Sequence, residues 1–294
     1  MHGPRKATRM IATTSRPVPA AGPADRPLLQ ALLSRRRPAV MGILNVTPDS
    51  FSDGGKFIAP KHALAQARRM IAEGADIIDI GAESTRPYGA QPVSADDEMK
   101  RLQPVLADVA SLGVPVSIDS MKSTVVAWAL DAGAAIANDV WGLQRDPDMA
   151  KVLAARNLPV IVMHNRDQAD ASIDIMKDIA EFFARSLAIA DRAGISRDNI
   201  VLDPGIGFGK TSEQSMTALA RLNEIGLFGL PLLVGASRKR FISSITPSEP
   251  HQRLGGSIAA HLLAAQGGAR IIRTHDVAET IQALSVAAAI EDNR

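Results

Sequence analysis

The chain contains no cysteine among its 294 residues. Disulfides, thiolate metal sites and cysteine nucleophiles are thereby excluded. Aromatic residues are scarce, at 3% of the sequence, so a core has to be assembled mainly from Ala, Val, Ile and Leu. Such a composition suits parallel strands that are covered by helices and buried on both faces. No apolar run approaches the roughly 20 residues needed to span a bilayer. The amino-terminal segment has no continuous apolar stretch of the secretory kind, and the expected location is the cytoplasm.

What is present is ordinary for a soluble globular protein, with 46% apolar and 22% charged residues. The length suits one large domain, and barrels of this size routinely form one. A pI near 9.0 invites a nucleic-acid partner, but the charge is concentrated at one end. Residues 1–38 hold Arg5, Lys6, Arg9, Arg16, Arg26, Arg35, Arg36 and Arg37 against the single acid Asp25, a local charge of +7 in a chain of net +2. The remainder is mildly acidic and gives no support for nucleic-acid binding. Residues 1–37 read as a disordered basic extension, and residues 38–294 as a single domain.

After Pro38, short runs rich in Val and Ile alternate with longer segments of helical periodicity. The expected strands are Ala39–Val46, Asp76–Ile80, Val114–Ile118, Ala135–Asp139, Pro159–Met163, Ile200–Leu202, Pro231–Val234 and Arg270–Arg273. The expected helices are Lys61–Glu73, Ser94–Ser111, Thr124–Ala132, Ile173–Ala193, Glu213–Ile225, Gln252–Gln266 and Val277–Ile290. Eight strand–helix units close a (β/α)₈ TIM barrel, an α/β fold; a doubly wound open sheet is the structural alternative. In a barrel the active site forms where the strands end at their carboxyl termini. Those positions carry Asn45, then Glu83, Ser84 and Thr85, then Asp119, then Asn138 and Asp139. They continue with His164, Asp203, Ser237-Arg238-Lys239, and Arg273 with His275. Helix caps and turns attract the same residue types singly, but not at all eight strand ends.

The loops narrow the chemistry. The first, Asn45 to Gly55, is long, polar and Gly-ended, suited to a lid whose Asn carbonyl ligates a hard cation. In the second, Arg86 beside hydroxyls suits a cluster of phosphate oxygens, and Arg273 with His275 adds donors from the last strand. Asp119, Asn138 and Asp203 converge as acceptors suited to the edge of a heterocycle with several N–H groups. Asp119 could instead cap the helix that follows it. The segment Asp203 to Thr211 ends in Gly-Lys-Thr, yet Pro204 stands where a phosphate-binding loop needs its first Gly. His164 receives only a weak site role, and no His-x-x-x-His or Cys cluster is available for zinc.

Several strings together carry a resemblance. They are Ile-Leu-Asn-Val-Thr-Pro-Asp-Ser-Phe-Ser-Asp-Gly-Gly (43–55), Glu-Ser-Thr-Arg-Pro (83–87), Asp-Pro-Gly-Ile-Gly-Phe-Gly-Lys (203–210), Ser-Arg-Lys (237–239) and Arg-Thr-His-Asp-Val (273–277). In these the chain resembles the bacterial dihydropteroate synthases over roughly residues 38–290. The resemblance implies a transferase of folate biosynthesis that joins 6-hydroxymethyl-7,8-dihydropterin diphosphate to p-aminobenzoate, releasing diphosphate. It implies a pterin site of Asp119, Asn138, Asp203 and Lys239. Diphosphate and Mg²⁺ would be engaged by Asn45, Thr85, Arg86, Arg273 and His275, with Asn45 the metal ligand. The p-aminobenzoate site, where sulfonamides bind in this family, would be bordered by Phe51, Pro87, Phe208 and Lys239, with Arg240 near its carboxylate end. A homodimer is also implied. Three departures stand out: Arg240 where many relatives have Ser, Tyr88 between Pro87 and Gly89, and Met-His-Asn-Arg at 163–166. The alternatives are a methyltetrahydrofolate-dependent corrinoid methyltransferase, which has no use for the diphosphate set, and a non-catalytic pterin-binding paralogue.

Overall fold

A computed structural model describes residues 27–46, 58–83 and 93–293. The expectations placed on Phe51, Thr85, Arg86, Pro87 and Tyr88 lie outside the described residues. Eight parallel strands follow in chain order: β1 (Ala39–Asn45), β2 (Ile77–Gly81), β3 (Val116–Asp119), β4 (Ile136–Asp139), β5 (Val160–Met163), β6 (Ile200–Asp203), β7 (Leu232–Val234) and β8 (Ala269–Thr274). Each pairs with the next, and β8 returns to β1 in a register from Ala39↔Ile271 to Gly42↔Thr274, closing the barrel. The expected (β/α)₈ architecture is the one observed.

The helices are α1 (Leu28–Leu33), α2 (Ile58–Ala72), α3 (Ala95–Leu102), α4 (Leu106–Ala110), α5 (Ser123–Asp131) and α6 (Met149–Arg156). They continue with α7 (Ile175–Ala193), α8 (Ser212–Ala220), α9 (Leu222–Ile225), α10 (Arg240–Ile245), α11 (Leu254–Gln266) and α12 (Val277–Glu291). Capping marks several starts. Asp174 accepts from the N–H groups of Met176 and Lys177 at the head of α7, and Thr211 with Gln214 forms a reciprocal capping box on α8. The expected helix Ser94–Ser111 is divided into α3 and α4 because Pro104 can neither donate its missing N–H nor fit an uninterrupted turn. The short helix α6 was not anticipated. None of the helices among the described residues is long and apolar enough to cross a membrane.

Strand alternation sorts the side chains into two apolar layers. Val40, Leu44, Ile78, Ile80, Val116, Ile118, Val160, Val162 and Ile272 point outward and pack under the helices, against residues such as Met70, Phe183 and Leu284. The opposite parity places Met41, Ile77, Ile136, Ile161, Val201, Leu233 and Ile271 inside the barrel. These inner residues lie near the amino ends of their strands, and Leu29 and Leu32 of α1 pack onto them from below. The boundary of the expected extension therefore needs correction, since part of the 1–37 segment forms α1. Its Leu-Leu-Gln-Ala-Leu-Leu sequence supplies the apolar stopper that an open barrel end requires. The link after α1 is fastened: Arg270 donates to the carbonyls of Leu33 (2.6 Å) and Arg35 (2.8 Å), and Arg37 pairs with buried Asp76 at 2.6 Å.

Candidate active site

Two residues beyond the apolar plug, the same inward parity carries the chemistry. Ile77 is followed by Asp79, Ile136 by Asn138, Ile161 by Met163, Val201 by Asp203, Leu233 by Gly235 and Ile271 by Arg273, while Ser117 leads to Asp119. Two residues of strand rise roughly 6.6 Å, so the plug is also the underside of the site. Asp119, Asn138, Met163, Asp203, Gly235 and Arg273 line one cleft at the carboxyl end of the barrel, joined by Val140, Ile206, Phe208 and Lys239. The structure thus brings together the four residues expected at a pterin.

Parity also decides which strand-end residues stay out. Asp139, of outward parity, spends its carboxylate on the backbone N–H groups of Trp141 (2.9 Å) and Leu143 (2.6 Å). His164, likewise outward, faces Lys210 and Asp178 rather than the cleft. Asp119 is not a helix cap: Lys122 holds that position on α5. Glu83 fastens the stem of the second loop. Its Oε1 accepts from the Val93 N–H at 3.0 Å, and its Oε2 accepts from Lys122 at 2.5 Å. Lys122 is shared with fully buried Glu98 at 2.7 Å.

At the floor of the cleft, one guanidinium bridges two carboxylates. Arg273 donates through Nε to Oδ2 of Asp79 at 2.7 Å and through Nη2 to Oδ2 of Asp119 at 2.8 Å. Asn138 Nδ2 donates to the same Asp79 oxygen at 3.1 Å. Asp79 escaped the sequence reading because it sits inside a strand, not at its end; its place two residues beyond Ile77 was the available signal. Oδ1 of Asp79 and Oδ1 of Asp119 are buried without a hydrogen-bond partner. Such acceptors are costly unless a ligand donates to them. Burial pushes the Asp119 carboxyl up to about 7, helped by Asp79 and resisted by Arg273. Asp203 is raised to about 6, again chiefly by burial, against the Gly205 N–H that it accepts at 2.7 Å. Arg273 is held more firmly protonated than usual. Burial opposes this, but Asp79 and Asp119 outweigh it.

Higher in the cleft, Lys239 Nζ lies 4.0 Å from the centre of the Phe208 ring, within cation–π range. His275 is pushed down to about 3, first by burial and then by Arg273 and Arg238. Its backbone N–H donates to Ser237 Oγ at 3.2 Å, and the same hydroxyl is hydrogen-bonded to Nδ1 of the ring at 2.9 Å. His275 is therefore a neutral imidazole whose ring is fixed by Ser237. Arg238 is occupied by Asp276. Arg240 opens α10 on the exposed surface, and Asn45 ends β1 with its side chain exposed.

A buried acceptor floor, a flat aromatic wall and a cationic rim now stand in one barrel mouth, and residues 41–275 match the family of pterin binding enzymes. The chain belongs to that family, among its dihydropteroate synthases. It is 46% identical over 248 residues to the dihydropteroate synthase of Bacillus subtilis, covering 84% of this chain and 86% of that one. The dihydropteroate synthase of Xanthomonas albilineans in complex with 7,8-dihydropteroate superposes with a TM-score of 0.81 at 41% identity, covering 88% of this chain and 95% of that chain. The same organism's enzyme with 4-aminobenzoic acid gives a TM-score of 0.84 at 43% identity, covering 88% and 94%. Membership in this family fits the strand-end residues, which a corrinoid methyltransferase would not require as a set.

Proposed function

We propose that the cleft binds 6-hydroxymethyl-7,8-dihydropterin diphosphate and p-aminobenzoate and joins them into 7,8-dihydropteroate, releasing diphosphate. The observation that carries this is the pair of buried, unpartnered oxygens on Asp79 and Asp119 beside Asn138 and Asp203. A pterin edge presents several N–H donors and one acceptor side, which this floor answers. Asp119, Asn138 and Asp203 receive the ring, and Lys239 covers its outer end.

The leaving diphosphate departs with the electron pair of its bond to the pterin methylene carbon. Arg273, through the N–H groups not engaged by Asp79 and Asp119, and the ring of His275 would stabilise that growing charge. Thr85 and Arg86 join this role from the sequence pattern alone. The positive charge left on the pterin methylene is stabilised by the Asp119 and Asp203 carboxylates. The arylamine nitrogen then supplies the electron pair of the new C–N bond, and its surplus proton passes to the departing diphosphate or to water. No covalent enzyme intermediate is required. Phe208, Lys239 and Arg240, with Phe51 and Pro87, border the arylamine, the place where sulfonamides compete.

Mg²⁺ belongs to the same reading. Asn45 offers one exposed carbonyl oxygen, and among the described residues no cluster of three His, Asp or Glu side chains could form a cage. A small hard cation that keeps its waters and takes phosphate oxygens needs only one or two protein ligands. Asn45 therefore fits an ion that arrives with the diphosphate, where it would neutralise leaving-group charge. A homodimer and a cytoplasmic setting complete the proposal. The outer faces of α11 and α12 expose Leu263, Val286 and Ile290, an apolar surface suited to a second copy.

The test is direct. The purified protein with Mg²⁺, pterin diphosphate and p-aminobenzoate is expected to release diphosphate and form dihydropteroate. Absence of a product that depends on p-aminobenzoate overturns the proposal.

A further inference from the structure

The Gly-Lys-Thr end of the loop after β6 is left unused by the catalytic reading. In a phosphate-binding loop the lysine reaches outward to its ligand. Here Lys210 is only 8% exposed and turns inward. Its Nζ donates to Nδ1 of His164 at 2.6 Å and to the carbonyls of Gly205 and Phe208 at 2.9 and 3.1 Å. Burial pushes Lys210 down to about 7, against the pull of Asp203 and Asp178; in its ammonium form it has three donors and no acceptor, and its whole capacity is used. The Asp178 carboxylate on α7 can only accept, so Nε2 of His164 carries the ring proton and donates to its Oδ2 at 3.0 Å, leaving Nδ1 to accept from Lys210. Arg166 closes the chain on the other Asp178 oxygen at 2.9 Å. His164 remains neutral, because burial and then Lys210 push it down to about 3.

The loop that Lys210 holds is a single layer of backbone. A Cβ on Gly205 would lie 1.9 Å from the carbonyl oxygen of His164, and one on Gly209 would lie 2.4 Å from Cβ of Arg166. On its other side a Cβ on Gly207 would stand 3.3 Å from Cδ of Lys239, the residue that covers Phe208. We propose that Lys210, tied through His164 to Asp178, is a positioning residue that holds Phe208 against Lys239 and so shapes the arylamine end of the site, an inference that rests on the synthase reading. Asp119 and Asn138 stand on β3 and β4 and do not depend on this loop, and Asp203, fixed on β6, meets it only through the Gly205 N–H.

Lys210→Met keeps the aliphatic stem and removes all three donors. Amide hydrogen exchange over residues 204–210 is expected to quicken at least about tenfold, with strand peptides unchanged. The KM for p-aminobenzoate is expected to rise about 10- to 100-fold, against less than about threefold for pterin diphosphate. A purely structural role moves both KM values together with the melting temperature. Asp178→Asn keeps an acceptor for His164 and removes the charge; it serves if Lys210→Met does not fold, with a selective rise of about three- to tenfold. Unchanged loop exchange, or equal changes in both KM values, overturns the inference. A wild-type protein without p-aminobenzoate-dependent turnover overturns the synthase reading instead, while the exchange result still decides whether Lys210 holds the loop.

Discussion

Replacing Asp79 by Asn should move the pH at which pterin binding switches on. Asp79 is 1% exposed and shares the Arg273 guanidinium with Asp119, each carboxylate on a different nitrogen. Two carboxylates placed so are about 5 Å apart, and at an effective dielectric of about 20 they repel by about 3 kcal/mol. With about 1.4 kcal/mol per pH unit, removing one of them lowers the Asp119 midpoint by about two pH units. In the wild type Asp119 titrates at about 7, and only its ionised form offers two full acceptors to the pterin N–H groups. Affinity should therefore rise as pH rises through about 7.

In Asp79→Asn the same rise should occur near a pH of about 5. Its plateau should be weaker by about 10- to 30-fold, because Asn138 and Arg273 lose a charged acceptor. Calorimetric titration with a 6-hydroxymethyl pterin from pH 5 to 9, without p-aminobenzoate, measures both quantities. A midpoint that stays at the wild-type value, or moves upward, refutes the idea that Asp79 raises its neighbour across the shared guanidinium.

Gly205→Ala combines a φ of +63° with a clash at the His164 carbonyl, whereas Gly113→Ala, at φ +88°, meets nothing within 4 Å. The first should cost about 3 kcal/mol or more and the second about 1 to 2, and equal melting shifts would contradict the crowding seen beneath the loop. Leu32→Ala, at a position 4% exposed under the barrel, should lose about 2 to 4 kcal/mol in urea unfolding. It should leave kcat/KM per folded molecule unchanged, and a selective loss of turnover would argue against its remoteness from the site. Asp119, Asp139 and Asp203 are raised to about 7, 6 and 6, each mainly by burial. All three bind protons more tightly folded than unfolded, so their stabilisation is complete below about pH 4 and is lost as pH rises through 6 to 7. The ligand-free protein should melt at progressively lower temperature across that window, with a flatter slope in Asp203→Asn, and a steadily rising melting temperature would refute the assignment.

The barrel is legible because eight strand-period runs are interleaved with segments of helical period, and the site because Asn45, Asp119, Asn138, Asp203, Arg273 and His275 share inward parity at strand ends. Parity was not used as a filter, which is why Asp139 and His164 were grouped with them although both turn away. Asp79 was hidden for the converse reason, being one pleat below a strand end. Arg273 was expected only among phosphate donors; its reach to Asp79 and Asp119 depends on barrel closure, which no local pattern encodes. Helix α1 was overlooked because six residues between basic flanks give a weak periodic signal, and its stability comes from the barrel it stoppers. Lys210 could be denied a phosphate role from Pro204, but its inward turn depends on a histidine 46 positions away.

Helix α1 fixes where the described chain enters the barrel. Leu28–Leu33 lies against the amino ends of the strands, and Arg36 just beyond it pairs with Asp292 past the end of α12. Both ends of the described chain thus emerge at one pole, opposite the mouth. An affinity handle or a fused domain joined directly at residue 27 or 293 would begin at the pole away from the mouth. A short linker between those ends would permit circular permutation, with new termini on a surface turn. Tandem copies could be strung pole to pole, each barrel keeping its own open mouth.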